Sequence, residues 1–150
     1  MNSNVYADTS FLTRLYVKHE TTELAQEIFS SLGQPLPFTP LHRLEFRNAI
    51  RRRVFEKFIS SSDARRVLRQ SEDDLHSGAI LFHTPSEWTD LLRRCEELSA
   101  KFTENFGYRS LDLLHVALAR EFKAKKFLSF DRQQRELAKS QGMEILPVLI

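Results

Sequence analysis

The chain alternates short apolar runs with longer segments of helical period. Val5-Tyr6-Ala7 is a brief β-prone run that ends abruptly at Asp8, and it predicts a buried strand over Val5–Asp8. Thr9 or Ser10 then caps a helix from about Phe11 to Lys18. Thr21 or Thr22 starts a second helix, in which Leu24, Ala25, Ile28, Phe29 and Leu32 recur at helical spacing before Gly33 closes it. Leu36 to Thr39 reads as a second strand, and Pro40 opens a long helix to about Phe58. Ser60-Ser61-Ser62-Asp63 breaks that helix and caps another, from Ala64 to Leu75. Ile80 to Phe82 is a third short strand. Pro85-Ser86 begins a helix carrying Trp88, Leu91, Leu92, Cys95, Leu98 and Phe102.

Ser110 caps the helix Leu111–Ala119, which is apolar almost all round and therefore belongs in the middle of a fold. Asp112 and His115 are its only polar residues. Lys126 to Phe130 forms a strand that ends at Asp131. A helix from Arg132 to Gln141, a cap at Gly142 and a last strand over Glu144–Val148 complete the chain. Strands alternating with helices predict an α/β fold: a three-layer α/β/α sandwich around a central, mainly parallel sheet of about four to five strands. With 150 residues and neither repeat nor linker, the chain is expected to be a single domain over residues 1–150.

Composition excludes the disordered and fibrous classes. The lone Cys95 sits in a charged helical run without a nucleophile motif around it and reads as an inert helix residue of a reduced compartment. There is neither a signal peptide pattern nor a run approaching the ~20 apolar residues that span a bilayer, so a soluble cytoplasmic protein with no membrane partner is expected. Charge does change the picture. His42 to Arg69 holds nine Arg or Lys against three acidic residues, a surplus of six in a chain whose net charge is +2. Arg43, Arg47 and Arg51 form a stripe four residues apart, with Arg52 beside it. Such a segment is either a solvated helix face or a contact for a polyanion.

Four acidic residues stand where folding asks for them only weakly. Asp8 and Asp131 each follow an apolar strand and precede a helix, which in a parallel sheet places both on the edge where ligands bind. Asp112 lies in the first turn of the buried helix and Glu45 in the first turns of the helix after the second strand, toward that same edge. Taken singly, Asp8 and Asp131 are explained as helix caps, Asp112 as a complement to the helix dipole and Glu45 as a surface partner of Arg52 or a neighbouring arginine. Taken together they would repel one another strongly unless a cation sat among them. An all-oxygen set suits a hard divalent ion, Mg²⁺ or Mn²⁺, and such an ion suits phosphodiester hydrolysis. Arginines beside the acids would then hold the nucleic-acid backbone, with Arg43, Arg47, Arg51 and Arg52 the candidates. His115 lies one turn from Asp112, and a neutral histidine hydrogen-bonded in the core is the commoner reading.

At these residues the chain resembles PIN-domain proteins, and among them the VapC-like toxin ribonucleases. The matching segments are Val5-Tyr6-Ala7-Asp8-Thr9-Ser10-Phe11-Leu12, Leu44-Glu45-Phe46-Arg47-Asn48-Ala49, Leu111 to Ala119, and Phe127-Leu128-Ser129-Phe130-Asp131. The resemblance implies a metal-dependent endoribonuclease with Asp8, Glu45, Asp112 and Asp131 as its acidic site and Thr9 or Ser10 and Ser129 as polar support. It also implies RNA as substrate, a homodimer, and a small inhibitory antitoxin as partner in a type II toxin–antitoxin pair. Ser129 departs from the commoner Thr but keeps a hydroxyl. The rival reading is a module of the same fold that binds RNA or protein without turnover. Residues 60–106 carry no family motif.

Overall fold

The computed structural model describes Ser3 to Leu149. In chain order the elements are β1 (Val5–Ala7), α1 (Thr9–Tyr16), α2 (Thr22–Leu32), β2 (Leu36–Phe38), α3 (Pro40–Phe55) and α4 (Ser61–Ser77). Then follow β3 (Leu81–His83), α5 (Trp88–Phe106), α6 (Ser110–Glu121), β4 (Lys126–Leu128), α7 (Arg132–Ser140) and β5 (Glu144–Leu146). The α/β class and the strictly parallel pairing follow the expected pattern. Among the described residues there are five strands, in one hydrogen-bonded group of three and one of two. The chain divides into two compact units, one formed by the segment ending at Asp8 together with the chain from Pro85 onward, the other by Thr9–Thr84.

The first unit is built on β1, β4 and β5, in the order β1-β4-β5. Ala7 pairs with Leu128, and Leu128 with Leu146, so all three strands end together. Every β1 residue is buried, as expected of a short parallel strand covered on both faces. Of α6, seven residues are buried, including Asp112 and His115. His115 takes the core role: its Nδ1 lies 2.7 Å from the Tyr6 hydroxyl, and Tyr6 stacks on Phe127. Helix α5 packs against α6, burying Leu91, Cys95 and Leu98, while Leu92 faces outward. Burial pushes the Cys95 thiol up to about 11, in keeping with an inert residue.

The second unit pairs β2 with β3 in parallel, Leu36 opposite Leu81. Thr39 caps α3 by accepting from His42 N at 3.3 Å, with Pro40 at the first helical position, and buried His42 answers with its Nδ1 against the Thr39 amide. Leu41, His42, Phe46 and Ile50 give α3 an inner face. Ser60 and Asp63 form a reciprocal capping box at the start of α4, which ends on Gly78 at φ 71°. The Tyr16 hydroxyl donates to Asp74 at 2.5 Å, tying α1 to α4; burial and then Asp74 push that phenol well above its ordinary value.

Several boundaries differ from the periodicity. Helix α1 begins at Thr9 rather than Phe11, α3 stops at Phe55, α6 is preceded by Arg109 at its cap position rather than Ser110, and β4 and β5 stop at Leu128 and Leu146. The ladder ends where its neighbours end, so apolar residues beyond it, such as Phe130 and Val148, are not strand. In α2 only Ala25 of the expected apolar stripe is fully buried. That helix packs chiefly on α1, which covers a narrow strip. Among the described residues, no helix is long and apolar enough to cross a membrane.

Candidate active site

Because β1 and β4 run parallel and in register, the residues just past their ends stand side by side. Asp8 follows Ala7 and Ser129 follows Leu128, and the Asp8 amide donates to the Leu128 carbonyl at 3.0 Å. Asp8 and Ser129 are both fully buried. The Ser129 hydroxyl donates to Asp8 Oδ2 in a short hydrogen bond, and its oxygen accepts from the Asp131 amide at 2.9 Å. One hydroxyl thus couples two of the sequence-nominated acids. Asp131 also caps α7, its Oδ1 accepting from Gln134 N at 3.1 Å. The cap explanation is therefore correct for Asp131 and does not separate it from Asp8.

Asp112 joins the same network from α6. Its Oδ1 accepts from Gln134 Nε2 at 3.2 Å, and its Oδ2 accepts from the Arg109 amide at 3.2 Å, with Arg109 Nε at 3.7 Å. Only 3% of Asp112 is exposed. Asp8, Asp131 and Asp112 are thus linked in sequence through Ser129 and Gln134. A buried carboxylate without donors is costly, and these donors are what make the burial tolerable.

Two further groups register the field of these acids. Burial, then Glu136 and Asp112, push the Tyr108 phenol upward. Burial lowers the Arg135 guanidinium from its ordinary value, and Asp8 acts in the opposite sense. Arg135 donates to the Ser129 carbonyl at 2.7 Å and the Pro147 carbonyl at 2.6 Å, fixing the end of β4 and the start of the C-terminal tail.

The donor set has the chemistry of a hard-cation site. Asp8, Asp112, Asp131 and Ser129 offer side-chain oxygens alone, and His115 turns its Nδ1 to the Tyr6 hydroxyl. Gln134 Oε1 is buried and has no hydrogen-bond partner among the described residues, beside the Asp112 carboxylate. An orphaned buried oxygen there fits a cation or its hydration water as the missing partner. Among the described residues no three His, Cys, Asp or Glu side chains already stand in a metal-holding arrangement. Ser129 and Gln134 intervene between the acids.

The other nominated residues belong to the second unit. Glu45 is half-buried on α3, and its Oε1 accepts from Thr9 Oγ1 at 2.8 Å. Thr9 and Ser10 lie in the first turn of α1 and line a cleft of about 370 Å³ with Arg14, Arg52 and Arg53 among its walls. Arg43 and Arg47 both reach Glu72 of α4, at 2.6 and 3.1 Å, and Arg52 pairs with Glu56 at 3.2 Å. Arg51 lines a separate cleft between α3 and α4. The stripe read from the sequence is therefore shared between acidic partners and two clefts.

Sequence reasoning missed Gln134 and Arg135. Both sit in the run Arg132-Gln133-Gln134-Arg135, where nothing local marks one glutamine as buried. The only signal was position, since a residue three after a capping Asp has its amide aimed at that carboxylate.

A family model described as the PIN domain matches residues 5–140. Two solved structures resemble the chain closely in fold. One is Mycobacterium tuberculosis VapC20, described as a sarcin-ricin loop cleaving toxin, with a TM-score of 0.66, 17% identity, and coverage of 93% of this chain and 95% of that one. The other is FitAcB from Neisseria gonorrhoeae, with a TM-score of 0.59, 11% identity, and coverage of 94% and 95%. No curated protein matches the chain. At these identities the structures speak for the fold, while the family match spans most of the sequence and runs from β1 to the end of α7. The chain belongs to the PIN-domain family.

Proposed function

We propose that this protein is a metal-dependent endoribonuclease, the toxin of a type II toxin–antitoxin pair. The observation that carries the reading is the largely buried network Asp8–Ser129–Asp131–Gln134–Asp112 at the carboxyl ends of paired parallel strands. Its support is the PIN-domain match and the likeness in fold to a protein described as an RNA-loop-cleaving toxin. One family match runs through both compact units, which supports residues 1–150 acting as one nuclease domain.

In this proposal Asp8, Asp112 and Asp131 hold a Mg²⁺ or Mn²⁺ ion through carboxylate oxygens, directly or through water. A bound ion of this kind supplies a more acidic water and a counter-charge for the scissile phosphate. Ser129 orients Asp8 by donating to it, and Gln134 does the same for Asp112. Glu45, steadied by Thr9, is a further ligand or orients the attacking water; its support is the sequence motif and that hydrogen bond. Thr9 and Ser10 are its polar surroundings, and Arg43, Arg47, Arg51 and Arg52 contribute positive charge toward the RNA backbone. A homodimer and a small antitoxin that covers the acidic residues, as the family resemblance implies, and a cytoplasmic location complete the proposal.

The test is cleavage of RNA by the purified protein and its Asp8→Asn variant. The variant should keep its fold and lose cleavage, EDTA should abolish activity in the parent, and Mg²⁺ or Mn²⁺ should restore it. Cleavage by Asp8→Asn at the parental rate would remove Asp8 from the site. A saturable rise in thermal midpoint on Mn²⁺ titration is expected, and its absence would favour a module of the same fold that binds without turnover.

A further inference from the structure

The α3–α4 cleft shares no lining residue with the acidic network and lies wholly within the unit Thr9–Thr84. It encloses about 570 Å³ and is lined by Arg47 and Arg51 from α3 and Arg65 and Arg69 from α4, against a single carboxylate, Glu72. Each pair is four residues apart, so its members are about 6 Å apart along the helix axis. The two helices pack on one another, and each contributes one row of guanidinium groups. Val54 and Leu68 line the same space, and no lysine does.

Charge sharpens the picture. Arg51, Arg65 and Arg69 make no ion pair among the described residues. Arg47 shares Glu72 with Arg43, which holds it more closely, at 2.6 against 3.1 Å. Four like charges in one cleft concentrate positive potential and favour a polyanion. A guanidinium presents a planar fork that matches phosphate oxygens, where an ammonium is a point charge. Apolar walls beside such forks suit the faces of sugars and unstacked bases. A cleft of this volume is in the range of pockets for small ligands and has room for a short piece of single-stranded chain.

We propose that the α3–α4 cleft binds the sugar–phosphate backbone of single-stranded RNA, with Glu72 as an internal anion that the phosphates displace. That this strand is the one cleaved rests on the ribonuclease reading above; the binding does not. An acidic peptide would meet the same charge but would leave the paired rows and apolar walls without purpose, and it is an outcome of the test.

The experiment uses the full chain carrying Asp112→Asn, in EDTA, and a labelled single-stranded RNA oligomer followed by anisotropy across a salt series. Arg65→Ala with Arg69→Ala should weaken binding by about tenfold and flatten the slope of log affinity against log salt by about 1.4, two phosphate contacts at ~0.7 each. Arg65→Lys with Arg69→Lys should keep most of the slope and lose part of the affinity. Glu72→Gln should tighten binding by about threefold. If the alanine pair does not fold, the lysine pair and Glu72→Gln decide. Unchanged affinity and slope in the alanine pair, or in the lysine pair and Glu72→Gln where those decide, would overturn the proposal. So would polyglutamate competing as well as RNA of equal charge, with both weakened alike by the arginine changes. Binding that responds as expected, in a protein whose parent cleaves no RNA, would sink the nuclease reading and leave the cleft. Cleavage lost in Asp8→Asn while the arginine changes leave RNA binding untouched would do the reverse.

Discussion

The two units treat charge in opposite ways. In the first, three aspartates sit at or near the ends of β1 and β4, Asp8 and Asp112 are buried, and all are held by specific donors. In the second, arginines on α3 and α4 are largely exposed, and two of them, Arg43 and Arg47, share one glutamate. Buried, hydrogen-bonded charge is expensive to place and persists only where every partner is fixed. Exposed charge costs little, contributes little to stability and is free to meet a mobile partner. The contrast therefore separates residues whose position is set by the fold from residues whose positions are set by what they bind. Mutation should expose the difference as a split between activity, stability and salt dependence.

The largest effect is expected at Asp112. An asparagine keeps an oxygen for Gln134 Nε2 but loses the acceptor for the Arg109 amide and all of the negative charge. Cleavage should fall by more than about a hundredfold, as when a preorganised charge-stabilising group is removed. Stability should change by only about 1 kcal/mol, the cost of one hydrogen bond. A rate assay paired with urea unfolding checks both. Equal losses in rate and folded fraction would mean that Asp112 is merely structural.

Ser129 should behave differently. Ser129→Ala removes the donor to buried Asp8 and the acceptor for the Asp131 amide, so it strikes the network at its centre. A loss of about 2–3 kcal/mol is expected, because a buried carboxylate is left short of a donor. Ser129→Thr restores the hydroxyl and should recover most of it, as read from denaturation midpoints. If alanine and threonine variants are equally stable, the hydroxyl bridge is not what tolerates the burial of Asp8.

The same contrast decides what the sequence could reveal. Asp8 and Asp131 were legible because each interrupts an apolar run at a strand end, and Asp112 because it is polar in a helix that is otherwise apolar. Gln134 was not, because α7 is polar along most of its length and only the approach of α6 singles out one glutamine. Glu45 was legible as a motif, but the mixed pattern of α3 hid its partner, Thr9. Arg65 and Arg69 were legible only as part of the basic segment His42–Arg69, open to reading as a solvated face or a polyanion contact, in a stretch without a motif. Their pairing with Arg47 and Arg51 exists only once α4 packs on α3. Leu24 fails in the other direction: its periodicity was helical, but α2 has too little covering it to bury that position. Local pattern nominates which residues can face inward; whether they are covered, and which of them meet, is a matter of packing.

Within the second unit, the buried cap should matter more than the surface pairs. Thr39→Ala removes the oxygen that accepts from the His42 amide and faces His42 Nδ1 at 2.8 Å. It should cost about 1–2 kcal/mol, the usual range for a lost N-cap, and urea titration measures it directly. His42 Nδ1 would still accept from the Thr39 amide. A change below about 0.5 kcal/mol would mean that Pro40 alone sets the start of α3.

The smallest stability effect belongs to Glu72. Its side chain is 44% exposed, as is that of Arg43, and solvent screens their attraction. Glu72→Gln should shift stability by less than about 1 kcal/mol at low salt, and by less still as salt rises. Thermal midpoints of parent and variant across a salt series test this. A difference that persists at high salt would show that Glu72 is structural like the aspartates. It would then resist displacement by phosphate, and the contrast between fold-set and partner-set charge would fail where it is most exposed to test.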